Sequence, residues 1–321
     1  MSMRKLHFFL VLSIVLTCGS IASAQAVRTW VSQAAGADDA NPCSRSAPCR
    51  TFAGAISKTA INGEIDPLDP GSYGPVTITK SITIDGGTGS GWASILASGT
   101  TGVTINLTDT SGNDPRHTVR LRNLNITGTG LSGSVGHRTG ITGVHMVLAT
   151  GAVYIENMLI TDFTERGISD ERASGKLYVN DTTVRHCAQS GVAVVPATTT
   201  TVTGILDNVR TEGNKLAGFV FTGGARVTVR NCLAFGNGGQ GLDAEGTGTE
   251  VNMENCNSSQ NGTGIQTVNG TPTVRISLCT VTNNTTGLLP SAGAILTYGN
   301  NHVTANGTDG APTGPVPLNP V

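Results

Sequence analysis

The sequence predicts an all-β solenoid, a single chain wound into successive short coils. Three observations predict it. A motif returns at a nearly constant interval, apolar residues alternate within each copy, and asparagine and glycine recur at fixed offsets. The stretch "VTVRNCLAFGNGGQGLDAEG" (227–246) is followed twenty-four residues on by "VNMENCNSSQNGTGIQTV" (251–268). Taking the Asn of the first motif as a zero point, the equivalent residues are Asn123, Asn157, Asp181, Asn208, Asn231, Asn255, Leu278 and Asn300. Their spacings are 34, 24, 27, 23, 24, 23 and 22 residues. Self-similarity at such a period marks a solenoid.

Within each copy, the residues four and two before the zero point are apolar, as in Val153/Ile155, Leu177/Val179, Val227/Val229 and Val251/Met253. That period of two describes a half-buried strand. A second asparagine column follows six residues after the zero point, at Asn214, Asn237, Asn261, Asn284 and Asn306, with Cys187 in the same column. Glycine plus an apolar residue comes next, as in Gly191-Val192, Gly218-Phe219 and Gly241-Leu242. Asn and Gly tolerate the left-handed backbone that sharp bends require, so each copy is a strand, an Asn bend, a strand, an Asn-Gly turn and a short strand.

Composition agrees. The 321 residues include 43 glycines, 4% aromatic and 13% charged residues, with a net charge of -1. Near-neutrality without a basic cluster argues against nucleic acid as a partner. Residues 1–24, "MSMRKLHFFLVLSIVLTCGSIASA", combine a basic start, a short apolar run and small residues, the pattern of a cleaved secretory signal. No later segment is long and apolar enough to span a bilayer, so a secreted or periplasmic protein without a transmembrane segment is expected. In such a compartment Cys43 and Cys49, in the tight loop "NPCSRSAPCR", are expected to pair. Residues 27–75 form an N-terminal cap holding that loop and an amphipathic helix over Phe52–Ala60, with Phe52, Ala55, Ile56 and Ala60 on one face. Residues 76–310 form nine or ten coils, and the Pro-rich tail 311–321 is expected to leave the stack.

Around "PCRTFAGAISKTAINGEI" and "DPGSYGPVTITKSITIDG" the chain resembles the pectin-lyase-like superfamily, over about residues 27–310. The resemblance implies a single-stranded right-handed parallel β-helix with a short N-terminal capping helix. It does not specify a reaction, because the fold hosts lyases, hydrolases, epimerases and adhesins. A lyase of this type would bring calcium; no other cofactor is implied.

Candidate sites follow from which columns face outward. The charge-rich segment from Glu156 to Arg185 adjoins a long insertion, and together they gather His137, Arg138, His145, Glu165, Arg166, Asp170, Glu171 and Arg172. Long loops on a rigid scaffold are where function collects. Asp243 and Glu245 face out from one strand, an acidic patch that could assist a cation or an acid–base pair. The string "NDPRHTVR" (113–120) is a turn, since Arg116 breaks an Asp-Pro-His spacing. The column Cys232, Cys256 and Cys279 is expected to stack as small buried hydrophobes rather than bind metal. With no carboxylate array and few aromatics, the expected function is a non-catalytic surface or matrix protein that binds glycan or a cell-surface protein. The alternative is a polysaccharide lyase, hydrolase or epimerase.

Overall fold

A computed structural model describes residues 25–87, 93–107, 112–128, 140–148, 150–196 and 201–317. The proposed signal segment therefore lies outside the described residues. Three parallel sheets run the length of a right-handed solenoid of about nine turns. Sheet A has twelve strands, sheet B ten and sheet C nine. Each coil gives one strand to each sheet in turn: Arg226–Arg230 to A, Leu233–Phe235 to B and Gln240–Glu245 to C, before Glu250–Glu254 opens the next coil in A. Val229 lies beside Met253 in parallel register, and both side chains are buried.

The two asparagine columns shape the two bends between sheets. At the A-to-B bend Asn123, Asn157, Asp181, Asn208, Asn231, Asn255 and Leu278 all have φ between 49° and 58°. One left-handed residue turns the chain there without a loop. Leu278 is the exception in chemistry, an apolar residue 55% exposed in a conformation that suits Asn. At the B-to-C bend Asn214, Asn237, Asn261 and Asn284 are buried, each carrying its hydrogen bonds to the coils above and below. Asn261 Oδ1 accepts from the backbone N–H of Asn237 at 2.9 Å and from its amide at 3.0 Å, while Asn261 Nδ2 donates to Ala234 O and Asn284 Oδ1 at 3.1 Å each. Cys187 ends this ladder, its N–H donating to Asn214 Oδ1.

The interior is one continuous aliphatic column. Cys232, Cys256 and Cys279 point into it as free, buried thiols. Hydrogen bonding to Cys232 is the main influence pushing the Cys256 thiol up to about 12, and burial adds to it. The Cys256 thiol therefore stays protonated near neutral pH. Cys43 and Cys49 form the expected disulfide, with Cα atoms 4.6 Å apart.

Two N- and C-terminal expectations need correction. The helix is a single turn, Phe52–Ile56, and the chain passes at Thr59 into the strand Thr59–Pro67, which pairs between two neighbours in sheet A. Ala60 thus lies on a strand. Pairing on both sides outweighs the propensity of so short a helix. Phe52 is buried, its ring centroid 5.1 Å from that of Tyr73. Part of the tail also stays in the stack: Gly314–Pro315 pairs with Ala294–Thr297 as the last rung of sheet A. Proline is tolerated there because the rung is an edge.

Asn261→Ala removes the acceptor of two Asn237 donors and should lower unfolding free energy by about 3 kcal/mol, from ~1–3 kcal/mol per stranded buried donor. Urea denaturation followed by circular dichroism measures this, and an unchanged midpoint contradicts the ladder's role. Leu278→Asn should raise stability by up to about 1 kcal/mol, because it relieves a left-handed non-glycine residue that buries little. A thermal midpoint below that of the wild type is the contrary result.

Candidate functional site on the outer face of sheet C

Alternation along the strands of sheet C turns one row outward: His145, Ser169, Ala193, Val220, Asp243, Gln266 and Leu289, each beside the next in parallel register. The row expected from the repeat is therefore a physical line down one face. Polar chemistry gathers at two places on it, with Ala193 and Val220 between.

The first place is on the coils of His145 and Ser169. His145 Nε2 sits 3.1 Å from Glu171 Oε2, off the line of a good hydrogen bond. Arg166 Nη1 donates to Ser169 Oγ at 3.0 Å and to Glu171 Oε1 at 3.2 Å, and Ser169 Oγ donates to the same oxygen at 3.1 Å. Burial raises the Glu171 carboxyl, but His145, Ser169 and Arg166 together hold it below the usual carboxylate range. The cluster is thus ionised and internally neutralised. Ser169 is spent on Glu171 and carries no nucleophile geometry.

The expected gathering of charges is only partly met. Asp170 and Arg172 point into the coil, both fully buried. The reason is the alternation itself: with Ser169 outward, Asp170 must face in, beside Met146 and Val194. Its charge draws the guanidinium after it, Nε donating to Oδ1 at 2.8 Å and Nη2 to Oδ2 at 2.6 Å. The remaining Arg172 donors reach the carbonyls of Gly151 and Lys176, each at 3.2 Å. This pair closes a turn and is unavailable to a ligand. Glu165 is exposed and accepts from Thr142 Oγ1 at 3.2 Å, apart from the cluster. His137 and Arg138 lie outside the described residues. Asp114 accepts from the Ser81 hydroxyl at 2.6 Å and His117 has φ 43°, so "NDPRH" is a turn, and "TVR" opens the strand Thr118–Arg122 of sheet A.

The second place is three coils on, ~14 Å at one rung per ~4.8 Å. Asp243 is not a solvated acid: it is 7% exposed, and its Oδ1 is buried with no hydrogen-bond partner. Val220 and Gln266 flank it in the row. Gln240 Nε2 donates to Gln266 Oε1 at 3.0 Å across the same strands. Burial first, then the neighbouring Glu245 carboxylate, pushes the Asp243 carboxyl up to about 7. Near neutral pH it can hold a proton. The amide pair Gln240–Gln266 was not among the expected site residues; the register that places Gln266 next to Asp243 was the available signal. Calcium takes six to eight oxygen ligands. Among the described residues no three His, Cys, Asp or Glu side chains group to hold a metal.

A family model described as "right handed beta helix region" matches residues 71–244 and 142–310. No curated protein matches the sequence. Among solved structures, the pectate lyase Pel9A is similar at 13% identity and TM-score 0.52, covering 88% of this chain and 80% of its own. The A-module of the Azotobacter vinelandii mannuronan C-5 epimerase AlgE6 is similar at 16% identity and TM-score 0.54, covering 76% of this chain and 68% of its own. Identities this low establish a common fold.

A carboxyl raised from an ordinary 3.8 to about 7 binds its proton more tightly folded than unfolded. Its contribution to stability is therefore complete below about pH 4 and is lost as pH rises to about 7. Asp243→Asn should leave the thermal midpoint at pH 4 nearly unchanged and raise stability at pH 8 by on the order of 2 kcal/mol. An equal effect at both pH values contradicts the proton assignment.

Proposed function

The chain belongs to the right-handed β-helix family, and on that premise we propose that it is an exported protein that binds polysaccharide along the outer face of sheet C. The observation that carries this reading is Asp243 Oδ1, a buried carboxylate oxygen on an outward row with no donor of its own. A buried acceptor left unmade costs about 1–3 kcal/mol, which a ligand hydroxyl would relieve. Gln240 and Gln266 add amides that both donate and accept, the complement of sugar hydroxyls. Export rests on the pattern of residues 1–24, and the Cys43–Cys49 disulfide suits an oxidising compartment.

A polysaccharide-active enzyme is the second reading, and one observation favours it: a carboxyl that keeps a proton near pH 7 is a general acid. Against it, Asp243 and Glu245 stand side by side on one strand instead of facing each other across a bond. Glycosidases separate their two carboxyl groups by about 5–9.5 Å. The described residues therefore favour binding without turnover.

A glycan array with wild-type protein and Asp243→Asn, paired with assays for new reducing ends and unsaturated products, tests both. Retention of a polysaccharide by the wild type, at least about tenfold weaker in the variant and without product, is the expected result. Product formation that the substitution abolishes would replace binding with catalysis. No retention of any glycan, or retention indifferent to the substitution, overturns the assignment to this face.

A further inference from the structure

The two ends of the solenoid differ in charge and in closure, and neither difference depends on the reading of sheet C. Residues 25–69, which build the N-terminal end, carry nine Asp, Glu, Lys or Arg side chains. Residues 276–321 carry one, Asp309, in a chain that is 13% charged throughout. That acid is engaged within its own turn: Asp309 Oδ1 accepts from the Asn306 N–H at 3.0 Å and from its side-chain amide at 2.8 Å. Leu278, Leu289 and Tyr298 are exposed in the same last coils.

Closure follows the same contrast. At the N-terminal end Phe52 and Ala55 are fully buried, and the Cys43–Cys49 loop bonds to the first strand, the Cys49 N–H donating to Trp30 O at 2.9 Å. At the C-terminal end sheet A stops on Gly314–Pro315, and proline has no N–H to offer a further strand. Sheet B stops on His302–Thr304, which among the described residues has a neighbour on one side only, Thr280–Thr282. The His302 N–H donates back to Cys279 O at 2.8 Å. Alternation along a parallel strand therefore turns the N–H and C=O of Val303 toward the open edge. Val303 packs against the core but is only partly buried, so the apolar column also reaches this end. Edge strands are commonly defended by lysine or proline, and this one carries neither.

We propose that this end is the interface of a symmetric dimer, in which the His302–Thr304 strands of two copies pair antiparallel across a two-fold axis. Val303 then meets its own counterpart on the axis, and the two residues exchange both N–H···O=C bonds. Such a contact is isologous and closes at two copies. Head-to-tail growth would need a matching open end, and the charged, disulfide-tied cap occupies that place. Depletion of charge is what marks the centre of a protein interface against the remaining surface. A foreign peptide strand would gain only the two bonds of Val303. A second copy brings in addition the end of its own apolar column and its own uncharged rim.

Sedimentation velocity over about 1–100 μM tests this, with a dissociation constant on the order of micromolar expected for so small a contact. A monomer–dimer equilibrium without larger species is expected, and deuterium exchange across 302–304 should slow as the dimer forms. Thr304→Lys places a cation at the edge and should weaken the dimer at least about tenfold, with an unchanged thermal midpoint. Thr304→Val keeps a neutral β-branched side chain and should retain the dimer, as should Thr228→Lys on the outer face of sheet A. A protein that stays monomeric at about 100 μM overturns the proposal. It does so whether exchange at 302–304 is fast or is slow because the chain's own last residues cover the edge. Growth beyond two copies, or a dimer indifferent to Thr304→Lys, overturns it equally.

Discussion

Among the described residues, every strand except those at the ends of the sheets has its backbone partners on the coils above and below, so each coil must bend where its neighbours bend. That requirement governs the rest of the structure. A coil that turned one residue late would move its apolar row to the surface and leave its amides out of register. The left-handed residue at the A-to-B bend meets the requirement by conformation, since a single residue with φ near 50° turns the chain sharply. The asparagine ladder at the B-to-C bend meets it by hydrogen bonding, since each amide is held by the bend of the next coil. The two devices are complementary: one sets where a coil turns, the other fastens it to its neighbours.

With the interior committed to stacking, the outward rows are free to differ. Their residues sit in lines because the register is parallel, so any charge or ring meets its counterpart one rung away. Asp207 and Arg230 pair at 2.8 Å in this way, and Tyr154 and Tyr178 stack. The same geometry isolates chemistry along the axis. His145 and Asp243 share a row but are four coils apart, so each of their surroundings works alone. A β-helix thus favours long, shallow contact with an extended partner over a single deep pocket. The outward row of sheet C has that form.

The buried Asp170–Arg172 pair shows what happens where the interior rule is broken. An acid on an inward position can be kept only if its charge is matched and the remaining donors are satisfied. Arg172 does both, and the carbonyls of Gly151 and Lys176 tie it to the turn that begins the next strand. The charge density in this segment therefore divides in two, one part serving the fold inside and the other facing out through Glu171, Arg166 and His145.

The sequence by itself determined the solenoid, its period, both bend columns and the outward row of sheet C, because each depends on local spacing that repeats. It also marked the Cys43–Cys49 pair. It overextended the helix at Phe52, since one turn of amphipathic pattern does not reveal that Thr59 pairs with Ala26 and opens a strand of sheet A. It grouped Asp170 and Arg172 with surface charges, although a strict alternation from Ser169 would have sent Asp170 inward. Only the tertiary structure decided that Asp243 is buried with an oxygen that has no donor. That property arises among Val220, Asp243 and Gln266, each 23 positions from the next in sequence and brought together by stacking, and no local pattern records it.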